Sequence, residues 1–370
     1  MGGEDIYVNL LIKLLREKGH RVKLYAKHSS SIEQNLNNKM AVATNLVYNR
    51  QTATELQKII RVFKPDIAHI HNVYPLISPS AYIICKNAGV SIVQTIHNYR
   101  FMCAAGTLYH GSTVCKECLQ GKSLFPCIWH RCYRNSFVST ILLTITLMVQ
   151  RNRIIKTIDR FIFPTYFSKK IYEEYFNLPK SKSIVIHHGL KIADNSSQKS
   201  DSPSNYFLFI GRLSKEKGIL DLVKHISKKP KISLIVVGTG PLAKELETYR
   251  KYTHIKFMGS QSRNKTLKLM QNARAVIIPS KWYEVLPLVY IESLALNVPV
   301  LTPDTETFSF TRTTNNRYQY SFGNMNELMA RMEHFSYDKK SNYFRKIYEK
   351  YFSEKNHYTQ LMECYSSLIN

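Results

Sequence analysis

Acidic side chains are scarce in this chain: 26 Asp and Glu stand against 52 Lys and Arg in 370 residues, a net charge of +26. An imbalance of that size calls for an anionic partner, whether nucleic acid, an acidic membrane surface or a phosphorylated substrate. Long apolar runs are also missing. The longest, Phe137 to Val149, is interrupted by Ser and Thr and falls short of the roughly 20 residues a spanning helix takes. Arg151, Arg153 and Lys156 follow it directly. The run reads as a core-packing helix, with an interfacial helix as the alternative. The opening Met1-Gly-Gly-Glu-Asp5 has neither a basic start nor an apolar core, so no signal peptide is expected. The chain is expected in the cytoplasm, or peripheral at the inner face of the plasma membrane.

What is present suits a globular protein. Hydrophobic residues make up 44% of the chain, enough for real cores, and the length suits two domains. Residues 191–205 are polar and rich in turn formers and read as a linker. On each side, strand-like apolar runs alternate with helical patterns. Strands are expected near Val22–Ala26, Ile67–His71, Ser91–Thr95, Phe161–Pro164 and Ser183–Ile186. After the linker they are expected near Tyr206–Ile210, Ser233–Val237, Ile255–Met258, Ala275–Ile278 and Val298–Leu301. Such alternation implies parallel sheets, hence an α/β chain of two doubly wound, Rossmann-like domains. Ligands in these folds bind beyond the C-terminal strand ends, so the cleft between the domains is the expected site. The expected layout is a first domain over 1–190, with a Cys-rich insertion at about 101–135. The linker, a second domain over 206–335 and helices over 336–370 that pack back on the first domain follow.

The second half concentrates the chemistry. Pro279-Ser-Lys-Trp-Tyr-Glu284 follows an apolar strand, and Glu292 lies eight positions on, inside a helix that can open at Pro287. Leu286, Pro287 and Leu288 lead into that helix, whose free N–H groups can receive a phosphate. One carboxylate would face a sugar and the other the ribose hydroxyls. The bland reading is two acids favoured by the helix dipole, and spacing alone does not beat it. Three further features add weight. Gly211-Arg-Leu-Ser-Lys-Glu-Lys-Gly218 follows a strand, with Gly211 permitting close backbone approach and Arg212 and Lys217 supplying charge for a diphosphate. Either cation alone would be read as solvated surface. Gly238-Thr-Gly240-Pro241 forms a second turn, a common and therefore weak signal, and Gly259 a weaker one that could present backbone groups to a base edge.

The first half offers Ile67-Ala-His-Ile-His-Asn72, which places His69 and His71 on one strand face with Asn72 at its end. Thr95-Ile-His-Asn-Tyr-Arg100 places His97 and Asn98 just past another strand. His71 is read equally well as a scaffold histidine; the loop position of His97 favours function. Five of seven cysteines crowd together: Cys103, Cys115, Cys118, Cys127 and Cys132. Cys115-Lys-Glu-Cys118 is the common half of a structural zinc site, which Cys103 and Cys132 could complete, with Cys127 and His130 as spares. Disulfides lack support from a secretion signal, and no thioredoxin-like context suggests a redox pair. Cys85 and Cys364 read as core residues.

The segments Gly211–Gly218, Gly238–Pro241 and Glu284…Glu292, each after a strand and in this order, resemble the donor-binding half of retaining glycosyltransferases of family 4, of the GT-B architecture. Gly2-Gly3-Glu-Asp5, Lys18–Val22, Ile67–Asn72 and Thr95–Arg100 resemble the other half, in a branch common among capsule and exopolysaccharide enzymes. The resemblance implies retaining transfer from a UDP- or GDP-sugar to a lipid-linked saccharide, with no cofactor required for catalysis and a structural zinc as an addition. By that resemblance Arg212 and Lys217 bind the diphosphate and Glu292 the ribose. Glu284 faces the donor sugar, with His97 close to it. Gly211, Gly238, Gly240 and the Leu286–Leu288 backbone line the donor. Gly2, Gly3, His71, Asn72 and Asn98 stand on the acceptor side. Two departures go with it: the chain opens at the Gly-Gly-Glu loop, so the first strand of the N-terminal sheet is expected to be missing, and Asp304–Phe310 replaces a loop that is often glycine-rich. A nucleotide-sugar binder without turnover is the alternative. A zinc-containing nucleic-acid binder is disfavoured, because the basic residues are dispersed and nothing resembles a nucleic-acid module.

Overall fold

The computed structural model describes residues 2–27, 46–192, 205–314, 316–337 and 341–369. Most of the expected linker, residues 193–204, lies outside them. The chain divides into two compact units. The first comprises Met1–His110, Cys115–His187 and Tyr358–Asn370, and the second Gly111–Val114 and His188–His357. Of the expected C-terminal helical stretch, residues from Tyr358 onward cluster with the first unit, and those up to His357 with the second.

The first unit holds a parallel sheet in the order β1-β2-β3-β4: Ile67–Ile70, Ser91–Thr95, Arg160–Phe163 and Ser183–Val185. Ile92, Val93 and Phe161 are fully buried, as the apolar runs require. Around the sheet lie α1 (Gly3–Glu17), α2 (Arg50–Phe63), α3 (Ser80–Asn87), α4 (Phe125–Trp129), α5 (Phe137–Thr157) and α6 (Tyr166–Phe176). Side-chain caps start several of them. Asn49 accepts from the Thr52 N–H, Ser136 from Ser139 and Thr165 from Ser168, each satisfying a donor the helix itself leaves open.

The second unit is a six-stranded parallel sheet in the order β10-β9-β8-β5-β6-β7. Its strands are β5 (Phe207–Ile210), β6 (Leu234–Val237), β7 (Ile255–Phe257), β8 (Ala275–Ile277), β9 (Val300–Pro303) and β10 (Gln319–Tyr320). The amphipathic α7 (Ile219–Ile226) buries Ile219, Leu222, Val223 and Ile226. It is followed by α8 (Arg263–Asn272), α9 (Leu288–Ala295), α10 (Met325–Glu333) and α11 (Tyr343–Tyr351); α12 (Glu354–Ser366) starts here and belongs to the first unit from Tyr358 onward. Because every strand pair is parallel, the loops after β5, β6, β8 and β9 emerge on one edge. That edge carries the Gly211, Gly238, Pro279 and Asp304 segments.

Two expected strands need correction, and one strand was missed. Val22–Ala26 is not a strand. Among the described residues β1 pairs only with β2, so this segment joins no sheet; the Val22 carbonyl accepts from the Arg16 guanidinium at 3.1 Å, and Leu24 is 46% exposed. The strand expected at Val298–Leu301 starts at Val300, because Asn297 turns left-handed (φ 53°) and the Val298 N–H bonds the Ser293 carbonyl at the preceding helix end. The two-residue β10 was missed because Arg317-Tyr-Gln-Tyr320 lacks an apolar run. It is held by burial and by Gln319 donating to the Phe308 carbonyl at 2.8 Å.

The correction at Val22–Ala26 can be tested. Leu24→Asp should change urea-unfolding stability by less than about 0.5 kcal/mol, whereas a buried strand position would lose about 2–5 kcal/mol.

Candidate functional site

In the second unit the site grows from the loop after β8. Glu284 is only 4% exposed, so its carboxylate must be compensated from within. Two side chains do this. The Lys217 ammonium lies 2.6 Å from Oε1, and the Ser280 hydroxyl donates to the same oxygen at 2.6 Å. Lys217 also stands over the Trp282 ring, 5.1 Å from its centroid, a cation–π contact that fixes the long side chain further. Beneath, Thr307 donates to the Glu284 carbonyl at 2.6 Å. Thr307 belongs to the 3₁₀ turn Glu306–Thr311, so the segment in place of a glycine-rich loop supports Glu284 from behind.

The loop after β5 is fastened to this one. The Lys281 N–H bonds the Glu216 carbonyl at 2.8 Å, and Lys281 Nζ pairs with Asp221 at 2.7 Å. Gly218 has φ 69°, and a Cβ there would sit 1.9 Å from the Pro279 carbonyl oxygen, so only glycine allows the two loops to meet. Gly238 (φ 141°) has the same role against the Gly211 carbonyl, and Gly240 packs on Leu213 beside it. These glycines thus hold backbone to backbone, while Gly211 itself would tolerate a Cβ at ordinary contact with Phe209. Gly259 accepts the Gly238 N–H at 2.9 Å. Arg212 is exposed at the loop's start.

Pro287 is the N-cap of α9 with extended ψ, 134°, rather than its first helical residue, which is Leu288. Leu286 and Leu288 are buried and set the angle of entry. Glu292, 7% exposed, pairs with Arg263 at 2.6 Å. Burial raises its pKa, and the charge and hydrogen bond of Arg263 pull the other way. Arg263, Ser280, Trp282 and Thr307 were not found by motif reading. Only the pairing geometry shows them, although Ser280 and Trp282 lie inside the segment that was singled out.

The first unit gathers histidines. His71 Nδ1 and His97 Nε2 are 2.9 Å apart, and His69 stacks on His71 with ring centroids 4.4 Å apart. His69 is held by the Tyr365 hydroxyl at 2.6 Å and the Thr95 hydroxyl at 2.7 Å. Tyr7 lies against both His71 and His97. A pocket opens here, lined among others by His71, Asn72, Tyr74, His97, Asn98 and Arg100. Asn72 and Asn98 spend side-chain oxygens on their own turns, accepting from the Tyr74 and Arg100 N–H groups at 3.1 and 2.9 Å. Gly2 and Gly3 stand at the start of α1 and do not line this pocket. Their neighbour Glu4, which motif reading passed over, is bonded to Asn72. Burial, with Asp5 adding to it, pushes the Glu4 carboxyl up to about 7, against the pull of Asn72 and Arg100.

The cysteines assemble differently from the expected set. Cys127, not Cys115, is the hub. It hydrogen-bonds with Cys103 and Cys132, lies 3.3 Å from Cys118 Sγ, and accepts the Ala104 N–H at 3.3 Å. The bond from Cys103 draws its pKa down, while those of Cys103 and Cys132 rise. Cys115 is half-exposed and faces Glu117 at 3.9 Å; His130 bonds Glu117 at 3.0 Å. The expected set of Cys103, Cys115, Cys118 and Cys132 is not what packs together, since the cluster centres on Cys127. No group of three or more His, Cys, Asp or Glu among the described residues could hold a metal ion. The cluster instead ties the loop after His97 to α4 through Ala104.

Comparison with known proteins places the chain. The Glycosyltransferase Family 4 description matches residues 1–194, and Glycosyl transferases group 1 matches residues 191–350. The chain belongs to glycosyltransferase family 4. The uncharacterized glycosyltransferase MJ1059 of Methanocaldococcus jannaschii is 26% identical over 278 residues, 68% of this chain and 59% of that protein. The chain thus spans about three fifths of that relative's length. Among solved structures, sucrose-phosphate synthase from Thermosynechococcus elongatus superposes with TM-score 0.67 at 16% identity, covering 99% of this chain and 94% of that one. Anabaena HepE in complex with UDP-glucose gives TM-score 0.66 at 15% identity, covering 99% and 96%. These likenesses establish the fold, two Rossmann-like sheets of the GT-B class.

Two outcomes follow. Gly218→Ala should cost at least about 2 kcal/mol in urea unfolding, through backbone strain and the clash at Pro279; a cost below about 0.5 kcal/mol would mean the loops do not meet as described. For Glu4 the folded pKa lies above the unfolded one, so its contribution is present below pH 4.5 and is lost as pH rises through about 7. The Tm of the parent should therefore fall relative to Glu4→Gln between pH 5 and pH 8, and parallel curves would contradict the burial of this carboxyl.

Proposed function

We propose that this protein transfers a sugar, with retained anomeric configuration, from a nucleoside diphosphate sugar to a lipid-linked saccharide in cell-surface polysaccharide synthesis, working as a peripheral protein at the cytoplasmic membrane face. The observation that carries the reading is the buried Glu284 with Lys217 and Ser280 on one oxygen, beyond the C-terminal ends of a parallel sheet where such folds take nucleotides. A uridine donor has the added support that HepE was solved with UDP-glucose; a guanosine donor is the alternative base.

In this reading Lys217 and the exposed Arg212 neutralise the diphosphate, together with the open N–H groups at the start of α9. Glu292, oriented by Arg263 at 2.6 Å, accepts from the ribose hydroxyls. Glu284 holds the transferred sugar. The bond between anomeric carbon and diphosphate oxygen breaks as the acceptor oxygen bonds the same face, and the acceptor proton passes to the departing phosphate oxygen. His97, bonded to His71 at 2.9 Å, stands on the acceptor side and orients the reacting sugar. No step needs a metal.

A panel of UDP- and GDP-sugars scored by thermal shift tests the donor. One nucleotide-sugar should raise Tm by several degrees at millimolar concentration, as binding to the native state alone requires. Glu284→Ala should lower transfer at least about 100-fold while the preferred donor still stabilises the variant. Undiminished transfer by Glu284→Ala would remove Glu284 from the chemistry.

A further inference from the structure

The apolar run Phe137–Val149, expected to pack in a core, does so on one side only. Leu143, Leu147 and Ile154 of α5 are buried, but Val138, Ile145 and Val149 on the opposite side are 50–70% exposed, with Phe137 at 48% beside them. The helix α4 packs against α5 and adds Trp129, 86% exposed, and Phe125, 64% exposed. Of the thirteen large hydrophobic residues exposed among the described ones, seven lie on these two helices. A patch of this kind marks an interaction site.

The charges in this stretch of the chain are mostly of one sign. Between Phe101 and Thr157 the sequence has seven basic residues, Lys116, Lys122, Arg131, Arg134, Arg151, Arg153 and Lys156, against one acid, Glu117. That acid is engaged by His130. Along α5 the apolar face gives way to Arg153 and Lys156, both exposed, in its last two turns. Trp and Phe with aliphatic neighbours and a basic margin form the side-chain set that settles at the headgroup level of a bilayer. A second copy of this chain would bring two basic margins together, whereas an anionic lipid surface complements them. The helix does not cross: among the described residues no helix is long and apolar enough to span a membrane, and the buried side of α5 is taken by the unit's own core.

We propose that the outer face of α4 and α5 is a membrane-contact surface that lies flat on an anionic bilayer, with Trp129, Phe125, Val138 and Val149 inserted and Arg153 and Lys156 on the headgroups. This deepens the reading of a lipid-linked acceptor and rests on it only for its purpose; the surface stands on its own geometry. It would hold the first unit, with its histidine pocket, against the leaflet that carries the acceptor.

Co-sedimentation with vesicles of pure phosphatidylcholine and of phosphatidylcholine with phosphatidylglycerol tests this, at low and high salt. Binding is expected to the anionic vesicles, to weaken with salt, and to fall at least tenfold in the double variant Trp129→Ser/Val149→Ser. The double variant Arg153→Gln/Lys156→Gln should keep weaker binding with a shallower salt dependence. Brominated lipids should quench the emission of parent protein but not of the Trp129 variant. Circular dichroism and donor-induced thermal shift confirm that each variant is folded. Vesicle binding unchanged in the Trp129/Val149 variant, or absent from the parent, overturns the proposal. So does a parent dimer that this variant converts to a monomer. Donor stabilisation without vesicle binding sinks the surface alone, and vesicle binding without donor stabilisation sinks the transferase reading instead.

Discussion

The ion pair between Lys217 and Glu284 is the interaction on which the second unit's site depends. A carboxylate 4% exposed is costly without partners, and here the partners come from loops far apart in sequence. Lys217 closes the loop after β5, and Ser280 begins the loop after β8. The Gly218–Pro279 contact and the Lys281–Glu216 backbone bond bring the loops close enough for that pair to form. Charge, glycine geometry and sheet topology therefore converge on one strand edge. In the proposed transferase a donor phosphate arriving there competes with Glu284 for the ammonium, which would couple donor binding to the freedom of the carboxylate.

The first unit is built on a different kind of contact. Its pocket is bordered by neutral and titratable hydrogen-bond partners rather than by a buried ion pair. His69, His71 and His97 form a chain anchored at one end by Tyr365 and Thr95. Tyr365 comes from the C-terminal part of the chain that rejoins this unit. Glu4, pushed up to about 7, is a carboxyl whose protonation changes near neutral pH at the same pocket. The thiol cluster fixes the loop that carries Arg100 by way of Ala104.

The strands that read as continuous apolar runs, such as Ser91–Thr95 and Ala275–Ile278, were legible because burial on both faces demands such runs. The pair Glu284 and Glu292 was legible as a motif, and so was the glycine loop before it. The partners of those acids were not, because Arg263 and Thr307 carry no local pattern and meet the acids only through folding. Cys127 was ranked behind Cys115 because the Cys-x-x-Cys spacing is a sequence signal, whereas the hub position depends on how α4 packs. The run at Phe137 was read as core because hydropathy does not say which face of a helix is covered. Val22–Ala26 looked like a strand by composition, but a strand exists only with a neighbour to pair with.

In the proposed transferase Lys217 serves the nucleotide diphosphate and is occupied by Glu284 until the diphosphate arrives. Calorimetric titration of UDP into the parent and into Glu284→Gln measures this most directly. The account predicts that the variant binds UDP at least as tightly as the parent, because its lysine no longer has to leave a carboxylate. A more than tenfold loss of UDP affinity in the variant, about 1.4 kcal/mol, would contradict it.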